Sequence, residues 1–200
     1  KSIAVTPGGD LFVNIGSASN ACQEQDRRRE SPGRDPCPEL PVRAGIWRFS
    51  STETGQGPDD GERWASGLRN TVALAIRSKD GGLYGVVHGR DQLHGSWPER
   101  FSEQQNAEAP SEEFVRIVRG GRYSWPECYH DPETDRLVLA PEYGGDGVET
   151  GRCATRDRPI AAYPAHWAPN ALLFYEGDAF PERYQGGAFI AFHGSWNRAP

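Results

Sequence analysis

The chain has 200 residues and a formal net charge of −6; 36% of its residues are hydrophobic, and it contains 24 Gly and 16 Pro. This length suits one domain with a sizeable core, and a composition rich in turn formers favours a β protein over a helical one. The negative charge argues against nucleic acid as the main partner. No apolar run approaches the ~20 residues of a membrane helix, so no membrane span is predicted in this segment.

Three apolar runs along the chain share one pattern. Each begins with a Gly pair and ends on a single Gly: GGDLFVNIG at 8–16, GGLYGVVHG at 81–89 and GGAFIAFHG at 186–194. A glycine-bounded apolar run is typical of a strand between turns, since Gly adopts the positive φ of tight turns without strain. Three copies indicate an internal repeat, and their uneven spacing predicts long insertions of variable length.

The predicted elements are short strands separated by long loops. In chain order, strands are expected at 2–5, 11–15, 45–49, 71–77, 83–88, 113–119, 171–175 and 189–192. The segment 113–119 alternates apolar and polar residues, which indicates a half-buried strand. One helical turn is predicted near 103–108, and the polar segment 50–62 is expected to be disordered.

The repeating unit predicts the architecture. It consists of a strand, a turn, a glycine-bounded strand, a long loop and an alternating strand, which matches four-stranded blades repeated around an axis. A β-sandwich would show turn signals about every 8–12 residues, a spacing that these long insertions do not follow. We therefore predict an all-β fold, a β-propeller, that forms a single domain over residues 1–200.

The four cysteines fall into two local pairs, Cys22 with Cys37 and Cys128 with Cys153. Each pair brackets a polar insertion with little apolar content to hold it, and disulfides that close such loops stabilise by roughly 3 kcal/mol. Four buried free thiols are the alternative, while the lack of a CxxC motif or Cys/His cluster disfavours a metal site. Two disulfides would place the protein in an oxidising compartment, either the periplasm or the cell exterior.

Polar side chains follow each of the three repeated strands. In a propeller these positions lie at one mouth of the central channel, so we expect ligand-binding groups at 17–20, 88–91 and 193–198. Arg69 and Asn70 come just before the hairpin that the predicted strands at 71–77 and 83–88 are expected to form. A guanidinium binds a carboxylate through two parallel hydrogen bonds, so several arginines at one channel predict an anionic ligand. The alternative for any one of these arginines is a solvated surface residue.

Ordered blocks of sequence carry a family resemblance over nearly the whole chain. They are GSASNACQEQDRRR, GLRNTVALA, GVVHGRDQL, EEFVRIVRGGRYSWPECYHDPE, APEYGGDG and APNALLFYEGDAFPERYQGGAFIAFHGSWNR. Together they resemble the glucose/sorbosone dehydrogenases, soluble quinoproteins that use pyrroloquinoline quinone (PQQ) on a six-bladed β-propeller. GLRN and GG-x-Y-x-WP are the most telling motifs. The resemblance implies that the chain covers about half of such a propeller and is truncated at both ends.

The resemblance implies an oxidoreductase that oxidises an aldose, sorbosone or a related aldehyde or alcohol. Hydride passes to PQQ, and Ca²⁺ polarises the quinone. In this division of labour the cofactor performs the redox chemistry, and protein groups supply orientation and electrostatic field. Ca²⁺ prefers oxygen ligands, including backbone carbonyls, and acts as a Lewis acid. The implied partner is a small sugar or aldehyde, and the electron acceptor is not identified.

Site residues follow from the resemblance position by position. The residues implied to contact PQQ are Arg69, Asn70 and, with an ambiguous register, Asn197 and Arg198. Backbone ligands for the cofactor-linked Ca²⁺ are implied at Gly89 and Arg90. A second, structural Ca²⁺ site is implied at Tyr129 and Asp131, where the local spacing is one residue shorter than the family's. The candidates for contact with the substrate are Ser17, Asn20 and His88, although a His is unusual at this last position.

The general base of the family is a His that takes the substrate hydroxyl proton. Its matching position lies just before Lys1, and none of the five histidines of this chain occupies it. A chain without Met that begins directly on a strand-like segment is also typical of a piece of a longer protein. We therefore expect an internal fragment that does not oxidise sugar by itself.

Two other functions stay open. A non-catalytic propeller that serves as a binding module would keep the scaffold, but it would have no need of Arg69 and Asn70. A Ca²⁺-dependent lactonase-type propeller would hydrolyse sugar lactones without a redox cofactor. That enzyme would need carboxylates at the channel and would give no reason for convergent arginines.

Overall fold

The computed structural model describes residues 2–195 and 197–198, and most of its regular structure is β-strand. The strands are β1 (Ile3–Val5), β2 (Asp10–Ile15), β3 (Gly45–Ser50), β4 (Glu62–Ser66), β5 (Ala73–Arg77), β6 (Gly82–Val87), β7 (Glu112–Ile117), β8 (Gly121–Arg122), β9 (Cys128–Asp131), β10 (Arg136–Leu139), β11 (Ala161–Tyr163), β12 (Pro169–Phe174) and β13 (Ala188–Phe192). Two short helices, α1 (Leu93–Ser96) and α2 (Glu103–Glu108), lie between β6 and β7. Within the described residues, no helix has the length and apolar character to cross a membrane.

Two four-stranded antiparallel sheets organise the fold. The first has the order β1-β2-β3-β4, and β8 adds a short parallel pairing to β4 at the edge. The second has the order β5-β6-β7-β11, and its last strand returns only after an insertion that holds β8 and the hairpin β9-β10. A third sheet consists of β12 and β13. Both larger sheets have the strand number and antiparallel order predicted for a blade.

Apolar side chains pack between successive sheets. One cluster, which includes Phe12, Ile46 and Val115, joins the first sheet to the second. Another joins the second sheet to the third through Tyr84 and Phe174, whose rings meet edge to face with centroids 5.1 Å apart. The first strands of the three sheets adjoin, because β5 lies against both β1 and β12. Neighbouring blades would pack in this way; the complete ring of six stays a prediction.

All eight predicted strands are present, with boundaries within about two residues of those expected from the sequence. The predicted helical turn is confirmed as α2. Ser102 Oγ accepts from the Gln105 N–H at 3.1 Å, and Gln105 Oε1 accepts from the Ser102 N–H at 2.9 Å. This reciprocal capping satisfies two donors that an uncapped helix would leave unpaired.

The expectation of disorder at 50–62 is wrong. The side chain of Gln56 accepts from the Ser50 N–H at 3.0 Å and donates to the Ser50 carbonyl at 2.8 Å. A 3-10 turn at Pro58–Asp60 then leads the chain into β4. One polar side chain thus closes a loop that has few apolar residues to stabilise it.

Both predicted disulfides are confirmed, Cys22–Cys37 and Cys128–Cys153, and they close loops with sequence separations of 15 and 25. All four sulfur-bearing side chains are buried. The first bridge packs against Trp125 and the second against Leu137 and Leu139. Each bridge therefore serves as the apolar centre of an otherwise polar insertion.

Candidate functional site

The ends of several strands meet at one place. The Ser17 N–H, just after β2, donates to the Arg69 carbonyl at 2.8 Å. The His88 N–H, just after β6, donates to the Asn70 carbonyl at 2.8 Å. The His88 ring reaches the third sheet, because its Nε2 lies 2.8 Å from the Pro169 carbonyl oxygen. The structure thus brings together the segments that the repeated strands predict to share one end of the sheets.

Asn70 lies directly against the backbone of Gly16. A Cβ built on Gly16 would stand only 1.9 Å from Asn70 Oδ1, so a side chain at this position would displace the carboxamide. Asn70 is half-buried. Its carboxamide makes no hydrogen bond within the described part of the chain, although its main-chain carbonyl accepts from His88. Gly16 therefore makes room for an amide whose donors and acceptor are still available.

Arg69 is buried and held by four hydrogen bonds. Nε donates to the Asn20 carbonyl at 3.2 Å, and Nη1 donates to the Gly89 carbonyl at 2.7 Å. Nη2 donates to Asn20 Oδ1 at 3.1 Å and to Asp91 Oδ2 at 3.3 Å. Burial lowers the pKa of Arg69, and the charge of Asp91 opposes that shift. A guanidinium has five N–H donors, so one on Nη1 has no partner among the described residues.

Asp91 joins this guanidinium to a buried imidazole. Asp91 Oδ1 lies 3.5 Å from His166 Nδ1, and the His166 Nε2 lies 2.8 Å from the Asn106 carbonyl oxygen. Burial alone would lower the pKa of His166, but the hydrogen bonds to Asp91 and Asn106 outweigh it and raise that pKa. Burial would likewise raise the pKa of Asp91, but His166 and then Arg69 lower it. The result is a buried Arg69–Asp91–His166 chain.

Asn20 supports this chain from the other side. It is 1% exposed, its Oδ1 also accepts from the Asp91 N–H at 2.9 Å, and its Nδ2 donates to the Asp91 carbonyl at 2.8 Å. Its own carbonyl also accepts from Trp125 Nε1 at 2.9 Å. These bonds occupy its side chain and do not favour the predicted contact with a substrate. Ser17, by contrast, is half-buried, and its hydroxyl donates to the Ser19 carbonyl at 2.7 Å.

The residues predicted to bind the cofactor-linked Ca²⁺ lie beside Arg69. The Gly89 carbonyl accepts from Arg69, and the Gly89 N–H donates to Glu112 Oε2 at 2.9 Å. Burial raises the pKa of Glu112. The Arg90 guanidinium is turned to the interior, where Nη1 lies 2.6 Å from both carboxylate oxygens of Glu142. The Gly89 carbonyl thus already accepts a hydrogen bond from a guanidinium, and the cofactor-linked Ca²⁺ site stays a prediction.

The second predicted Ca²⁺ site lies elsewhere, by a cavity of about 210 Å³. Tyr129 is buried there, and burial raises the pKa of its hydroxyl. Asp131 Oδ2 accepts from the Thr134 N–H at 2.9 Å and from its hydroxyl at 2.6 Å, which closes the β9-β10 turn. No group of three or more His, Cys, Asp or Glu side chains that could hold a metal occurs among residues 2–195 and 197–198. This site stays a prediction.

Asn197 and Arg198 pack on α2 and its flanks. Arg198 Nη2 lies 2.8 Å from both carboxylate oxygens of Glu108. Asn197 Nδ2 lies 3.4 Å from the Nε2 of His166, which links this segment to the Arg69–Asp91–His166 chain. The structure thus connects Asn197 to the candidate site through one side chain, while the Arg198 charge is already paired.

A buried carboxyl group that the sequence does not single out lies under the site. Glu113 Oε1 accepts from the Ser124 hydroxyl at 2.7 Å, and Glu113 Oε2 has no partner in the described residues. Burial raises the pKa of Glu113 to about 7, against the effect of the Ser124 hydrogen bond. Nothing in the alternating strand pattern distinguishes this position from a solvent-facing one.

Solved structures with a similar fold include a carbohydrate-active enzyme and two sugar dehydrogenases. An AA12 carbohydrate-active enzyme from Trichoderma reesei, in its iodide structure, gives a TM-score of 0.71 at 20% identity and covers 98% of this chain and 49% of that chain. The holo form of the pyranose dehydrogenase PQQ domain from Coprinopsis cinerea gives a TM-score of 0.71 at 19% identity and covers 99% of this chain and 49% of that chain. The apo form of the soluble aldose sugar dehydrogenase from Escherichia coli gives a TM-score of 0.57 at 19% identity and covers 96% of this chain and 47% of that chain.

The chain spans about half the length of these structures. At such identities the similarity establishes a common, mainly β fold, and the names of these proteins agree with the resemblance found in the sequence. The TrAA12-like family model matches residues 3–200, which is nearly the whole chain. The chain therefore belongs to the TrAA12-like family.

Proposed function

We propose that the protein is a quinoprotein oxidoreductase that uses PQQ and Ca²⁺ to oxidise an aldose, sorbosone or a related aldehyde or alcohol. Membership of the TrAA12-like family supports the proposal, as does the shared fold with a pyranose dehydrogenase PQQ domain and an aldose sugar dehydrogenase. The observation that carries it is the adjacent pair Arg69 and Asn70 at the meeting point of the strand ends. When bound, PQQ accepts the hydride that leaves the substrate carbon.

Arg69 and Asn70 fit a planar group that carries carboxylates and carbonyls. Asn70 offers an amide with no competing partner among the described residues, and Gly16 leaves space for it. Arg69 offers the remaining N–H of Nη1 and a charge that four hydrogen bonds hold in place. A preorganised guanidinium loses little conformational freedom on binding and forms charge-assisted hydrogen bonds with carboxylates. The main-chain oxygens of Gly89 and Arg90 would serve Ca²⁺, which prefers such ligands.

His88 suits an orienting role toward the substrate. Burial lowers its pKa, with the Pro169 hydrogen bond opposing, so the ring is neutral near pH 7. A carbonyl oxygen can only accept a hydrogen bond, and the Pro169 carbonyl therefore fixes the proton on Nε2. Nδ1 is then an acceptor for a substrate hydroxyl. The disulfides support a periplasmic or secreted protein, because such bonds persist in oxidising compartments.

Reconstitution tests the proposal. Because this chain spans about half the length of the related structures, the full-length protein is incubated with PQQ and CaCl₂, and reduction of an artificial acceptor dye is followed with glucose and other aldoses. Sugar-dependent dye reduction that requires PQQ supports the proposal. Lactone opening without PQQ would show the lactonase instead. Binding of sugar without either reaction would indicate a binding module.

A further inference from the structure

A cavity of about 400 Å³ lies at the edge of the first sheet, where β8 pairs with β4. Its lining includes Arg63 from β4, Arg122 from β8, and Arg156, which follows the Cys128–Cys153 bridge. We call it the arginine pocket. None of the residues assigned above to PQQ, Ca²⁺ or the substrate lines it. The arginine pocket is therefore distinct from the candidate site for PQQ, Ca²⁺ and substrate at the strand ends.

Two of the three guanidiniums have no carboxylate partner in the part of the chain that the structure describes. Arg63 is exposed, and among the described residues its guanidinium donates only to the Leu40 carbonyl, at 2.9 Å. Arg122 is also exposed and is fixed through its main chain, where its N–H donates to Asp157 Oδ2 at 2.7 Å. Neither Asp157 nor any other acidic residue among those described lines the pocket. The pocket is cationic in a chain whose net charge is −6.

Arg156 forms the buried part of the wall. Its side chain is 10% exposed and pairs with Glu127. Trp64, which also lines the pocket, has a buried indole N–H, and neither this N–H nor the buried Nε of Arg156 has a hydrogen-bond partner among the described residues. Buried donors are normally paired, and both of these unpaired donors belong to residues of this one cavity. Because both atoms are fully buried, the donors that a ligand in the pocket can reach are those of the exposed Arg63 and Arg122.

Glycine keeps one wall of the pocket open. Gly120 has a φ of +76°, and a Cβ built there would meet no atom within 4 Å. A positive φ favours Gly at this position, so this part of the wall carries no side chain. The volume of about 400 Å³ falls within the range of small-molecule sites.

We propose that the arginine pocket binds a small organic anion that carries a carboxylate or a phosphate group. Planar guanidinium groups pair with both oxyanions through parallel hydrogen bonds. The pocket exceeds what a single inorganic ion needs, so a sugar acid and a sugar phosphate are suitable probes. The proposal is independent of the redox function, because no residue of the candidate PQQ site takes part.

Calorimetric titration of the protein with glucuronate, glucose 6-phosphate and neutral glucose tests this proposal, with Trp fluorescence as a second readout. PQQ is left out, so that the candidate cofactor site stays empty. We expect at least one of the two anions to bind and glucose not to bind with comparable affinity; the tighter anion identifies the preferred oxyanion. The double variant Arg63→Gln/Arg122→Gln should weaken that binding by at least ~10-fold, because it removes charge-assisted hydrogen bonds. Both positions are exposed, so the variant should fold.

The matched control is Arg136→Gln, an exposed arginine of β10 that does not line the pocket. It should bind the anion as the parent does. Equal binding of glucose would overturn the proposal, as would the absence of binding by both anions at millimolar concentration. An equal loss of anion affinity in Arg136→Gln would show unspecific attraction of the anion to positive charge and would also overturn the proposal.

Discussion

The guanidinium of Arg69 and the carboxylate of Asp91 form a largely buried ion pair, with Nη2 and Oδ2 3.3 Å apart and side-chain exposures of 11% and 21%. This pair fixes the candidate cofactor arginine from within the protein. Removal of one partner from a buried pair leaves an uncompensated charge, while removal of both costs less. The contribution of this ion pair to the stability of the protein can therefore be measured.

Arg69→Leu should lower the free energy of unfolding by about 3 kcal/mol, because Asp91 and two carbonyls lose their donor. The double variant Arg69→Leu/Asp91→Leu should lose less than the sum of the two single changes. Urea denaturation of the parent, both single variants and the double variant gives the coupling energy. Strict additivity of the four values would contradict a direct interaction.

Asp91→Asn should lower the pKa of the His166 ring. Asp91 is the strongest influence that raises this pKa, and burial, which lowers it, remains in the variant. A raised His pKa in the folded state stabilises the protein below the unfolded value of 6.5, and this stabilisation is lost as the pH rises through the folded pKa. NMR titration of the imidazole protons measures the shift. His130, which does not contact Asp91, is the internal control, and a parallel shift of both rings would contradict the assignment.

Sequence reasoning located the strands that carry the repeat, because glycine-bounded apolar runs are local signals. It did not find β4, β8, β9, β10 or β11. The two-residue β8 is a strand only because β4 lies beside it, and such pairing is set by tertiary packing rather than by its own residues. Arg69 is recognisable from the sequence because it comes just before a predicted hairpin. Asp91, its partner, lies in the predicted 88–91 segment, but His166, which contacts Asp91, lies in a distant insertion, so no local pattern indicates that those two residues meet.

Asn70→Ala should weaken PQQ binding by about 10-fold or more while leaving the stability of the protein nearly unchanged. The carboxamide makes no hydrogen bond in the described part of the chain, so its loss breaks no internal hydrogen bond and acts mainly on the proposed ligand. Titration of the apoprotein with PQQ, followed by fluorescence quenching, measures the affinity. Gln104→Ala removes an exposed carboxamide from α2 and should bind PQQ normally. Unchanged affinity in Asn70→Ala would refute the assignment of this residue.

The two disulfides should contribute similar amounts to stability. Chain-entropy arguments give roughly 3 kcal/mol for a loop of 15 residues and slightly more for one of 25. The paired variants Cys22→Ser/Cys37→Ser and Cys128→Ser/Cys153→Ser should each lower the free energy of unfolding by about this amount. Urea denaturation measures it, and non-reducing peptide mapping of the parent checks the connectivity. Four alkylatable thiols in the oxidised parent protein would contradict both bridges.

Glu113→Gln should remove a pH dependence of stability between about pH 4.5 and 7. Burial raises the pKa of Glu113 from 4.5 to about 7, so the folded state favours the neutral acid. The stabilisation is complete below pH 4.5 and is lost as the pH rises through about 7. The total loss is ~3 kcal/mol, at ~1.4 kcal/mol per pKa unit. Gln keeps an acceptor for the Ser124 hydroxyl and cannot ionise. Between pH 4.5 and pH 8, the free energy of unfolding measured with urea should therefore fall more in the parent than in Glu113→Gln. The variant Glu133→Gln, at an exposed position, should behave like the parent. Equal pH dependence in all three proteins would mean that Glu113 is ionised in the folded state without cost.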